Sequence, residues 1–253
     1  MSSRIMAHMV ASYPDRAGSV EVARAIFDGG CAYLELQFPF SDPTADGPDI
    51  QRACAEALAA GFTVDDGFRL LEEIARPARA PIFVMSYANL LFTRGIERFL
   101  RQVKDAGGSG VIVPDLPPDY DEGLFAAAVK EGLAAMPVLS PSMSAERLRR
   151  VAAIGAAHIY ATLRIGTTGP VTTVDAASLS FLASIAATNR KNQAKIFGGF
   201  GVTRREQVVA LEPHVHAVVV GSALVREVAG SRRPFAEVRD KVYALAAGAN
   251  RLE

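Results

Sequence analysis

The chain has 253 residues, half of them hydrophobic, and its 27 Lys plus Arg are balanced by 27 Asp plus Glu. Such a composition supports a sizeable core and supplies no net positive field to attract nucleic acid or an anionic membrane. The two cysteines, Cys31 and Cys54, fit no zinc spacing, which argues against a disulfide framework or a structural metal site. No apolar run is long enough to span a membrane, and the first residues lack the apolar stretch of a secretory signal. The expectation is a soluble, cytoplasmic protein.

Taken in chain order, short β-rich apolar runs fall at 7–11, 32–37, 81–86, 110–113, 135–139, 157–162, 194–198 and 217–220. Between them lie stretches of helical periodicity, among them 20–27, 93–104, 145–154 and 176–189. Several helix-to-strand joints carry a glycine just past the helical run: Gly30, the pair Gly107 and Gly108, and Gly155. A glycine there takes the left-handed conformation at low cost and turns the chain back. Strands alternating with helices imply parallel strands joined by crossovers. Eight such units in about 250 residues predict an α/β protein with one (β/α)8 barrel domain spanning 1–253. An open doubly wound sheet is the alternative. It would carry phosphate-binding glycines after its first strand, where this chain has Ser12, Tyr13, Pro14 and Asp15.

A barrel keeps its working residues at the C-terminal ends of its strands. In the second run, alternation puts Leu34 and Leu36 on one face and Tyr33, Glu35 and Gln37 on the other. With the leucines against helices, Glu35 points into the barrel. A buried carboxyl is costly to leave unpaired and has its pKa raised by desolvation, the setting of a general acid or base. A structural glutamate paired with a buried Arg or Lys fits the same position. The loop that follows holds Asp42 and Asp46 among three prolines and a glycine, a stiff carrier for placed charge or ordinary turn chemistry. The seventh and eighth runs end in glycine clusters, at 198–201 and at Gly221 with Ser222, the latter opening a helical pattern at 223–228. Glycines and a helix N-terminus at these two strand ends predict a phosphate site. The segment 163–175 has the glycines and threonines of a lid, with Arg164 available to an anion. His214 and His216 share a face without a third metal ligand, and His8 in the first run reaches the barrel interior.

The run from Leu34 to Pro48, LELQFPFSDPTADGP, carries with one change the E-L-G-x-P-F-S-D-P-x-A-D-G-P signature of the tryptophan synthase α subunit family. Tyr87 to Asn89, Asp115 to Pro117, Gly166 to Gly169, Gly199 to Gly201, and Gly221 with Ser222 match in family order, so the chain resembles that family over nearly its whole length. The resemblance implies a lyase in tryptophan biosynthesis that cleaves indole-3-glycerol phosphate to indole and glyceraldehyde 3-phosphate. It makes Glu35 the acid–base residue and Asp46 the carboxylate that binds the indole N–H. Tyr160 would order the site, Thr168 would belong to the lid, and Gly169, Phe200, Gly201, Gly221 and Ser222 to the phosphate site. No cofactor or metal is implied. The implied partner is a pyridoxal-phosphate β subunit in an α2β2 complex, with Pro39, Asp42, Pro43 and Asn89 near the interface. A stand-alone lyase, or a catalytically weak chain that activates a β subunit, are the alternatives. The chain departs from the family in starting almost at its first strand, where a helix usually precedes it. It also has Gln37 for a glycine, expected to crowd the site or bond to Glu35, His8 for a phenylalanine, Val10 for a threonine, and Ile165 for a small or polar residue.

Overall fold

A computed structural model describes residues 3–163, 174–199 and 201–247. Nine parallel strands lie in one sheet: β1 (Ile5–Val10), β2 (Tyr33–Gln37), β3 (Ile82–Met85), β4 (Gly110–Ile112), β5 (Ala134–Met136), β6 (Val138–Leu139), β7 (His158–Thr162), β8 (Lys195–Gly199) and β9 (Ala217–Val220). Among the described residues the helices are α1 (Arg16–Asp28), α2 (Pro48–Ala59), α3 (Val64–Ala75), α4 (Ala88–Arg94), α5 (Ile96–Asp105), α6 (Leu124–Glu131), α7 (Ala145–Ala152), α8 (Ala176–Thr188), α9 (Arg205–Leu211), α10 (Ser222–Gly230) and α11 (Ala236–Ala246). The sheet order is β5-β4-β3-β2-β1-β9-β8-β7-β6.

The two ends of that order are halves of one strand. Residues 135–139, expected as the fifth strand, are split at Pro137, which has no N–H to give to a ladder. The half before it pairs with β4 and the half after it with β7. The sheet therefore curls into a nearly closed barrel, as the eight-unit reading predicts, and the open-sheet alternative falls. The expected helix at 93–104 also needs correction. Gly95, at φ 84°, ends α4 and starts α5. Gly30, Gly107 and Gly155 all take positive φ, so the helix-to-strand joints turn as expected.

Alternation along the strands divides the core into two layers. Met6, Phe83, Met85, Ile112, Met136, Tyr160, Phe197 and Val219 fill the barrel interior. Their sequence neighbours, among them Leu34, Leu36, Val84, Val111, Ile159 and Val218, pack outward under the helices. Every one of these side chains is less than a tenth exposed. At about 25 cal/mol per Å2 of apolar surface removed from water, this double layer is the main stabilising term. It also leaves the inward positions of β1 and β2 facing into the barrel.

Candidate active site

The cavity at the C-terminal end of the barrel encloses about 330 Å3 and is lined by side chains from most of the strand ends. Glu35, on the inner face of β2, is 3% exposed and lines it. The expected inward direction is therefore right, and the alternative reading, a structural glutamate paired with a buried Arg or Lys, finds no such pair among the described residues. The register of the parallel β1–β2 ladder sets His8 opposite Glu35. His8 Nδ1 lies 3.4 Å from Glu35 Oε2, ion-pair range rather than a good hydrogen bond. Oε2 accepts no hydrogen bond, so the carboxyl keeps capacity for a ligand.

Asp46, also 3% exposed, comes from the loop between β2 and α2. That loop is tied together by hydrogen bonds of its own. Thr44 N donates to Asp42 O, Asp46 N donates to Pro43 O, and Gln51 Nε2 donates to Asp46 O at 2.8 Å. Two donors converge on one carboxylate oxygen. Tyr87 Oη donates to Asp46 Oδ2 at 2.8 Å and Gln37 Nε2 donates to the same atom at 2.7 Å. Tyr87 is itself fixed by the Ala45 N–H, which donates to its hydroxyl, and by stacking on Phe40 at 5.2 Å. Gln37 thus bonds to Asp46, not to Glu35, and its amide lies beside the Cys54 thiol at 3.4 Å. Burial pushes the Asp46 carboxyl up, while the His8 charge and the bonds from Tyr87 and Gln37 pull it back. Burial pushes the Tyr160 phenol far up, helped by the charges of Glu35 and Asp46, which keeps it a neutral donor.

Part of the expected phosphate site falls among the described residues. Gly201, Gly221 and Ser222 line the same cavity as the two carboxylates. A Cβ added to Gly221 would stand 3.7 Å from His8 Cβ and from Ile50 Cδ1, ordinary contact distances. The glycine is not demanded by protein packing, and the space it leaves suits a ligand approaching the backbone. Gly221 caps α10, whose N-terminus adds an oriented positive end. Tyr160, on β7, lines the same cavity. Thr168, Gly169 and Phe200, with Arg164 and Ile165, lie outside the described residues. His216 stands apart from this end, its Nε2 2.8 Å from Tyr33 Oη. Among the described residues, no three His, Cys, Asp or Glu side chains are grouped to hold a metal ion.

The sequence assigned no site role to Tyr87 and Asp115, which it marked only as family matches, or to Ser140, Ser142 and Arg147. All but Tyr87 line the cavity, and Tyr87 holds Asp46 from behind. Tyr87 follows β3, Asp115 follows β4 and Ser140 follows β6. The strand-end rule, applied to every strand, would have found those three.

A family model described as tryptophan synthase alpha chain matches residues 2–251. The chain belongs to the tryptophan synthase alpha chain family. It is 38% identical over 231 residues to the tryptophan synthase alpha chain of Helicobacter hepaticus, covering 88% of this chain and 85% of that one. The corresponding protein of Syntrophotalea carbinolica is 37% identical over 222 residues, at 88% and 87% coverage. Among solved structures, Mycobacterium tuberculosis tryptophan synthase superposes with a TM-score of 0.88 at 30% identity, covering 97% of this chain and 91% of that one. The tryptophan synthase complex of Pyrococcus furiosus gives 0.86 at 30% identity, covering 97% and 99%. In this chain Gln37, the one change in the Leu34 to Pro48 signature, bonds to Asp46, and His8 contacts Glu35.

Proposed function

We propose that the chain cleaves indole-3-glycerol phosphate to indole and glyceraldehyde 3-phosphate as the α subunit of a tryptophan synthase. The observation that carries this reading is the meeting of two buried carboxyl groups, Glu35 and Asp46, in one cavity that ends in Gly201, Gly221 and Ser222.

Cleavage needs the indole ring to become an electron sink. Protonation at C3 by Glu35 places positive charge on the ring nitrogen. Asp46, fixed through Oδ2, accepts the indole N–H and stabilises that cation, which exists only along the reaction path. The Glu35 carboxylate then takes the proton of the side-chain hydroxyl. The carbon–carbon bond breaks, its electron pair returns to the ring, and the aldehyde forms. Tyr160 orders the ring. Gly201, Gly221 and Ser222 hold the phosphate, in the proposal together with Gly169 and Phe200, while Thr168 closes over the site.

The same reading makes a β subunit the partner. Mutual activation within an α2β2 complex is described for the Pyrococcus furiosus enzyme. Of the positions matched to that interface, Asp42 and Asn89 are exposed while Pro39 and Pro43 are buried, so the first two are the ones able to touch another chain. A cytoplasmic location belongs to the same proposal. Both cysteines are free thiols, the state a reducing compartment maintains. The test is indole release by the purified wild type, alone and with a tryptophan synthase β subunit. Release that rises at least about tenfold with β is expected from a partnered lyase. Brisk release unaffected by β would support the stand-alone enzyme, and absence of release in both would leave only the activating-partner alternative.

A further inference from the structure

The cavity holds one more titratable group than two carboxyls require. His8 and Glu35 face each other across the β1–β2 ladder, with side chains only 4% exposed and Nδ1 3.4 Å from Oε2. The other imidazole nitrogen, Nε2, is buried and has no hydrogen-bond partner. An imidazole so deeply buried would ordinarily be kept neutral. Burial does act to lower the His8 pKa. The charge and contact of Glu35, with the charge of Asp46 added, outweigh it and leave His8 above its ordinary value.

The other ionisable groups on the cavity wall do not replace it. Arg147 from α7 is committed to Asp119 at 2.8 Å. Asp115, after β4, accepts from Ala88 N at 2.9 Å. Tyr160 on β7 stays a neutral phenol, and Asp46 is already a carboxyl. Ile50, Val219 and Gly221 on the same wall carry no charge. Among the described residues, His8 is the ion-pair partner of Glu35.

We propose that His8 is a positioning residue for Glu35, holding that carboxylate in place through Nδ1 and storing the proton that Glu35 delivers. This rests on the lyase reading above. In the resting cavity the proton sits on Nδ1, facing Oε2 of Glu35. During turnover it passes to Oε2, and Glu35 hands it to C3 of the indole ring. As the carbon–carbon bond breaks, the carboxylate takes the hydroxyl proton and returns it to Nδ1. One proton leaves the pair and one comes back, so nothing else is consumed. The stored proton is present below the ionisation of His8 and lost as pH rises through it. Cleavage therefore falls on the alkaline side.

The experiment is the pH profile of kcat and KM for indole-3-glycerol phosphate cleavage by the full chain with its β subunit, for wild type, His8→Phe and His8→Asn. His8→Phe is expected to lower kcat about 100-fold, to leave KM within about threefold, and to lose the alkaline limb that His8 supplies. His8→Asn keeps a donor near Glu35 but stores no proton, so it should lose the same limb. Either variant with wild-type kcat and an unchanged alkaline limb overturns the proposal. A second measurement separates its failure from that of the lyase reading. Imidazole titration of His8 by NMR in the unliganded protein should move to lower pH in Glu35→Gln. No movement overturns the pairing whatever the chain cleaves. Movement in a chain that cleaves nothing would uphold the pairing and count against the lyase.

Discussion

Asp46 is held by three parts of the chain at once: its own proline-rich loop, Tyr87 from the turn after β3, and Gln37 from the end of β2. Buried carboxylates lose hydration, and hydrogen bonds to the charged form restore part of it. Both side-chain donors reach Oδ2, leaving Oδ1 outside the clamp. A bond to a charged acceptor contributes about 1.5–3 kcal/mol. Gln37→Ala is therefore expected to lower kcat/KM for cleavage about tenfold or more, read from steady-state kinetics, while far-ultraviolet circular dichroism stays unchanged. A wild-type kcat/KM in that variant would mean that Tyr87 alone fixes Asp46. At this scale the sequence was readable to the level of faces. Strand alternation put Glu35 and Gln37 inside the barrel, where they are. It could not tell which acceptor Gln37 reaches, because Asp46 sits in a loop whose path is set by Pro43, Gln51 and Tyr87 together. The same limit kept the His8–Glu35 contact out of view, since strand register is a property of two segments and not of either alone.

At the scale of elements, the outward layer shows how closely helices approach the strands that carry the site. Phe38, directly after β2, sits fully buried among Phe62, Phe68 and Phe99, with ring centroids 5.3–6.1 Å away. Gly67 on α3 faces this ring, and a Cβ there would stand 2.7 Å from Phe38 Cζ. The ring has no free direction to yield. Alanine in place of glycine gains about 1 kcal/mol of helix propensity, while overpacking costs about 1–3 kcal/mol. Gly67→Ala is expected to destabilise the protein by up to about 2 kcal/mol in urea unfolding, and a stabilised variant would show that α3 can move away from the sheet. Element type and order were legible from hydrophobic period and helix-end glycines. The two errors have local causes. Pro137 breaks a run that reads as one strand, and Gly95 breaks one that reads as one helix. Both residues act through the backbone, which apolar periodicity does not register.

For the whole molecule, closure of the barrel is what gathers the site. Residues 8, 35, 46, 160, 201, 221 and 222 are spread over most of the chain, and they meet around one cavity only because β5 and β6 join opposite ends of the same sheet. The strand-end rule and the Leu34 to Pro48 signature made that meeting foreseeable from sequence. Thr168, expected in a lid, and Gly169, expected at the phosphate site, fall outside the described residues, so their part rests on the family resemblance of Gly166 to Gly169 alone. The central claim is that Glu35 does the proton chemistry while the rest of the cavity binds. It is tested most directly by single-turnover cleavage of indole-3-glycerol phosphate by Glu35→Gln, alongside its Kd for the same compound. The account predicts binding within about threefold of wild type and cleavage slowed by about 1,000-fold. Cleavage near the wild-type rate in that variant would contradict it.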